Sequence, residues 1–115
     1  MNEYLLLIRE NLEAYGKMTP QEMQEDIERH VKWVEKLVQN GHFKDGNPLM
    51  PMGTSIKGTI VTDGPFIETK EGVSGYYFLL ANSLEEATEI GKGCPSLASG
   101  GMIEIREVIQ TGNQH

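Results

Sequence analysis

Cys94 is the only cysteine in the sequence, so no internal disulfide can form and a reducing compartment is the expectation. Positive charge is scarce as well: ten Lys and Arg stand against 17 Asp and Glu, giving a formal net charge of −7. Such a field repels phosphate backbones and anionic headgroups, so neither nucleic acid nor a membrane surface is an expected partner. The apolar run nearest the start, Tyr4 to Ile8, is far short of a membrane span, and no basic segment precedes it. The expectation is a soluble, cytoplasmic protein. His, Cys and acidic residues nowhere take metal-ligand spacing, there is no P-loop, and the scattered glycines do not form a dinucleotide fingerprint. Neither a metal nor a cofactor is expected.

The sequence does contain regularly spaced apolar runs. At 115 residues and 38% hydrophobic content, it has the makings of one folded domain over residues 1–115 with a single core. Tyr4-Leu5-Leu6-Leu7-Ile8 has strand length and no polar interruption, as in a strand buried on both faces. Residues 11–18 read as a connecting loop. Thr19-Pro20-Gln21-Glu22 then supplies an N-cap, a proline at the first helical position and the Glu of a capping box. The helix it opens runs to Asn40-Gly41, a left-handed stop. Met23, Ile27, Val31, Val34 and Val38 follow one helical face, and His30, seven residues from both Met23 and Leu37, projects from that stripe.

Residues 42–51, rich in turn formers, read as loop with at most a short extended start. Ser55 to Thr62 alternates weakly as a strand. Asp63-Gly64-Pro65 turns the chain, after which Phe66 to Lys70 extends again. Gly75 to Ala81 is a further apolar strand. Ser83-Leu84-Glu85-Glu86 opens a second capped helix, ending near Gly91-Lys92-Gly93, and after a loop over residues 94–101 Met102 to Ile109 reads as the last strand. The order β-α-β-β-α-β is the ferredoxin-like split βαβ arrangement, an α+β fold. Both helices cover one face of its sheet. Since 115 residues leave no element for the other face, a homodimer with two sheets packed face to face is expected.

The side chains that can carry chemistry are few. His30 is the one histidine on a patterned element, and it reads either as a general base oriented by a carboxylate or as a core histidine held by a hydrogen bond. Asp63 reads as a turn former that caps nearby amides or as a catalytic carboxylate. Glu68, Lys70 and Glu71 cluster with it in sequence, either to hold a polar ligand or to brace a dimer, and Arg106 shares a strand face with Glu104. Cys94 follows a helix end, where the dipole disfavours a thiolate, and reads as a structural thiol. Tyr76, Tyr77 and Phe78 read as sheet core.

The segment Asp63-Gly64-Pro65-Phe66-Ile67-Glu68-Thr69-Lys70-Glu71, with Gly75-Tyr76-Tyr77, Cys94-Pro95-Ser96 and Glu104-Ile105-Arg106, resembles the DGPF-domain branch of the YCII-related family. The resemblance implies a dimeric α+β barrel with a ferredoxin-like subunit. It also implies a His–Asp pair in a cleft acting on a small organic acid, the work of a cofactor-independent lyase or isomerase. His30 through Gly41 matches the family's helical run beginning at His. The place of the paired Asp, before a proline, holds Cys94-Pro95 here, which leaves Asp63 or Glu68 to supply the carboxylate. Lys70, Glu71 and Arg106 are the ligand-binding candidates. The alternative is a non-catalytic dimeric binding or regulatory module, since relatives of this branch are associated with sigma-factor regulators.

Overall fold

The computed structural model describes residues 1–64 and 71–112. The chain begins with β1 (Asn2–Asn11), a short helix α1 (Leu12–Gly16) and the long helix α2 (Pro20–Gln39). Strand β2 (Phe43–Pro48) follows, then β3 (Thr54–Lys57), β4 (Ile60–Asp63) and β5 (Glu71–Ala81). Helix α3 (Leu84–Gly91), a single 3-10 turn (Pro95–Leu97) and β6 (Met102–Glu107) complete it. The main sheet has the order β2-β5-β1-β6, antiparallel throughout. With β3 and β4 set aside, this is the ferredoxin-like order.

The strand assignments differ from the sequence expectation chiefly between residues 42 and 63. The second strand of the ferredoxin-like unit is β2, in the stretch expected to be loop, whereas Ser55 to Thr62 is not one strand but a hairpin. Its halves, β3 and β4, pair only with each other. Gly58, at a φ of 62°, lets the chain reverse there. An edge strand needs little apolar content, which is why Lys44, Asp45 and Pro48 pass in β2. Residues 12–16, expected as loop, are helical because the Asn11 side chain accepts from the Ala14 N–H, capping α1. The expected extension of Phe66 to Lys70 lies outside the described residues. The strand expected from Gly75 begins at Glu71, and the last strand ends at Glu107.

Both capping signals act as expected. Thr19 Oγ1 accepts from Glu22 N while the Glu22 carboxylate accepts from Thr19 N. At the other end Gly41, at a φ of 76°, donates to Val38 O and His42 N donates to Leu37 O, a Schellman closure. Alternation along β1 buries Tyr4, Leu6 and Ile8 on one face, where they meet Tyr77, Leu79 and Ala81 of β5, Leu37 and Trp33 of α2 and Ala87 of α3. Both long helices therefore serve the same side of the sheet. Each fully buried large side chain there, such as Leu6 or Leu79, contributes about 1.5–3 kcal/mol.

The opposite face carries Leu5 and Leu7 of β1 beside Phe78 and Tyr76 of β5, in direct cross-strand register. All four are half-buried. Among the described residues, no helix is long and apolar enough to cross a membrane.

Candidate functional site

Helix α2 turns two kinds of apolar side chain toward the sheet. Leu37 is buried and Trp33 packs against the core, but Ile27, Val31 and Val38 are exposed. The stripe expected to be core is therefore only partly so. Ile27, Val31, Val34 and Val38 instead form one wall of an open cleft of about 550 Å³, whose other walls are the helix-facing sides of β1, β5 and β2. Small residues make the room on the sheet side: Ser74 and Gly75 of β5 and Gly46 of β2 all line the cavity.

His30 points into this cleft. Its Nδ1 lies 2.8 Å from the Tyr77 hydroxyl and its Nε2 lies 3.1 Å from the Ser96 hydroxyl. A neutral imidazole has one donor and one acceptor nitrogen, so one hydroxyl donates to the ring and the other accepts from it. Burial holds the His30 pKa below its ordinary value, against the upward pull of Asp26 and Glu10, and Arg29 adds to the depression. The ring is thus kept uncharged near neutral pH.

Tyr77 is fixed on several sides. Its ring stacks on His30 at a centroid distance of 5.9 Å and meets Trp33 and Phe43 edge-on at 5.2 and 6.2 Å. Burial is the main reason its phenol pKa stands well above the usual value, with smaller contributions from Cys94 and Asp26. The phenol therefore keeps its proton and is not a phenolate. Gly46 passes so close beneath that a Cβ there would run into the Tyr77 ring and lie 2.7 Å from Tyr76 O.

Ser96 reaches His30 because Pro95 opens a tight turn after α3, in which Leu97 N donates to Cys94 O and Gly101 N donates to Ser96 O. Ser96 is 2% exposed, as is Cys94. Burial pushes the Cys94 thiol pKa up, and hydrogen bonding with Ser96 only partly offsets this, which fits a structural thiol and not a nucleophile.

The remaining sequence candidates are distributed as follows. Asp63 closes β4 opposite Thr54, exposed on the hairpin and outside the cleft lining. Its turn is built by the next residue: Gly64, at a φ of 87°, donates to Gly53 O, and its carbonyl accepts from Ser55 Oγ. Glu68 and Lys70 lie outside the described residues. Glu71 heads β5 opposite Asn11 and lines a smaller second cavity with Arg29. That cavity shares Glu10, Tyr15 and Asp26 with the His30 cleft, so the last residue of the Asp63–Glu71 segment stands next to the site. Arg106 lies across from Leu5 and is exposed on the helix-free face, where Arg9 and Glu104 form a 3.5 Å ion pair.

The structure thus brings Tyr77 and Ser96 to His30, and neither was singled out for chemistry from the sequence. They are 47 and 66 residues away from it. The available hints were the small Ser74-Gly75 pair within a strand of large residues and the Cys94-Pro95-Ser96 turn signal. Three carboxylates, Glu10, Asp26 and Glu35, also line the cleft, while no Lys or Arg does so among the described residues. Those residues likewise contain no group of three or more His, Cys, Asp and Glu able to hold a metal ion.

The sequence is 43% identical over 49 residues to an uncharacterised protein of Rhizobium meliloti (strain 1021), a match covering 42% of this chain and 40% of that protein. The chain thus aligns with less than half of that relative's length. The YCII-related domain, by contrast, matches residues 2–111. That span takes in every strand and helix described above, from β1 to β6, and the chain therefore belongs to the YCII-related family.

Proposed function

We propose that this protein binds a small, mainly apolar molecule in the cleft beneath α2 and moves a proton on it, as a cofactor-independent lyase or isomerase would. The observation that carries the reading is an uncharged His30 held between two hydroxyls at the wall of an apolar cavity. A ligand proton passes to the Tyr77 or Ser96 hydroxyl as that hydroxyl gives its own proton to the ring nitrogen, and the bonding electrons stay on the ligand. The imidazolium then returns the proton at a second position or to a leaving group. Asp26 and Glu10 favour that imidazolium electrostatically, and general acid–base groups of this kind contribute about 10²–10⁴-fold. The organic-acid ligand implied by the family resemblance has no described cation in the cleft to meet its carboxylate.

A second reading is favoured by one observation: both ring nitrogens of His30 already have partners within the chain. On that reading the same cleft serves a non-catalytic binding or regulatory module. A ligand screen by thermal shift, followed by proton NMR of each hit in D₂O, separates the two. Catalysis predicts deuterium entering the ligand with wild type and not with His30→Gln, while both proteins still bind. Binding without exchange in either protein overturns the catalytic reading and supports the module.

The helix-free face supports a second copy of the chain as partner. Leu5, Leu7, Tyr76 and Phe78 would be covered by the same residues of the other copy, in the isologous contact of a two-fold dimer.

A further inference from the structure

We infer that the ligand of the His30 cleft carries a cationic amine on its apolar body, and not an acidic group. The inference rests on the reading of this cleft as the ligand site and adds the chemical class. Its apolar part follows from the wall of Ile27, Val31 and Val38, which α2 leaves exposed, with half-buried Val34 beside them and Phe43 also lining the cavity. Exposed aliphatic side chains along an open cavity are matched by a hydrophobic surface of the occupant.

The charge follows from the polar groups. Glu10, Asp26 and Glu35 line the cavity, and no described Lys or Arg does so. Glu10 has no ion-pair partner among the described residues, and Asp26 is bridged only by Arg29, at 3.5 Å. That guanidinium is half exposed and lines the second cavity but not the His30 cleft, so it neutralises Asp26 only in part. Glu10 and Asp26 both also line the second cavity, which puts them where the two cavities adjoin. They are close enough to His30 to raise its pKa. An ammonium held by this pair stands next to the imidazole, and a proton on the carbon beside it reaches the ring through the Tyr77 or Ser96 hydroxyl. The chain's net charge of −7 works in the same direction, drawing cations toward the protein and repelling acids.

The test is a matched series with one apolar body: 2-phenylethylamine, 2-phenylethanol and phenylacetate, each titrated into the ¹⁵N-labelled protein at low salt. The expected result is perturbation of amides at 27–38 and 43–48, with the amine binding about tenfold more tightly than the acid. Added salt should shrink that ratio, and Glu10→Gln, alone and with Glu35→Gln, should bring it toward unity by weakening the amine. Phenylacetate binding at these amides as tightly as the amine would overturn the inference and leave the cleft reading standing. Failure of all three probes to perturb the cleft at millimolar concentration overturns the cleft reading and the inference together.

Discussion

The Tyr77 hydroxyl lies 2.8 Å from His30 Nδ1, joining the middle of the long helix to a central strand across the floor of the cleft. Tyr77→Phe keeps the ring against Trp33 and Phe43 and removes only that bond. A fully buried nitrogen left unpaired would cost about 1–3 kcal/mol, but the open cleft admits water, so the loss expected is near 1 kcal/mol. Urea unfolding measures it. Proton exchange into a bound ligand should fall by at least an order of magnitude in the same variant, on the scale of a lost acid–base group of about 10²-fold.

Stability should depend on pH through His30. Its folded pKa lies below the unfolded value of about 6.5. The unfolded chain therefore binds the proton first as pH falls, and the stabilisation is complete above about 6.5 and declines below it. The groups facing the ring are Asp26 and Glu10, which oppose the depression, Arg29, which assists it, and the uncharged hydroxyls of Tyr77 and Ser96. Ordinary carboxylates titrate near pH 4, so over about pH 5 to 7 the difference between urea melts of wild type and His30→Gln reports this histidine. Wild type should lose stability over that window on acidification, and His30→Gln should show a flatter profile.

Gly46→Ala places a methyl group against the Tyr77 ring and the Tyr76 carbonyl. The ring cannot retreat without giving up its contacts with His30 and Trp33. Overpacking of this kind costs about 1–3 kcal/mol. Alanine at Gly53, where a Cβ meets nothing within 4 Å, is the matched control and should be close to neutral. Differential scanning calorimetry of the two variants distinguishes a specific clash from a general glycine effect.

The proposed dimer is addressed by charge on the helix-free face. Sedimentation equilibrium at micromolar concentration should give twice the subunit mass of 12.8 kDa for wild type. Leu7→Lys together with Phe78→Lys should give the monomer with its circular dichroism intact, because both positions lie away from the core. A monomeric wild type would remove the second copy from the account.

The fold was legible wherever local chemistry is strong. Thr19-Pro20 and Asn40-Gly41 bound α2 because caps act within one turn of chain, and the apolar runs of β1 and β5 are the central strands, each paired on both edges, because their alternate residues supply the core. The edge strand β2 was missed for the converse reason: it is held by main-chain bonds to β5, which leave little mark on side-chain pattern. The hairpin of β3 and β4 reads in sequence like a piece of the main sheet because β-branched residues have the same propensity in either place.

The sequence alone determined the ferredoxin-like order, the inward projection of His30 and the family, since each depends on periodicity, capping or a contiguous motif. Only the tertiary structure decided what His30 touches. Hydrogen bonds of about 3 Å depend on how α2, β5 and the turn after α3 pack together, and that packing gathers Tyr77 and Ser96 from 47 and 66 residues away while leaving Asp63 on the hairpin. The same packing left Ile27, Val31 and Val38 uncovered, turning part of an expected core stripe into the wall of a cleft.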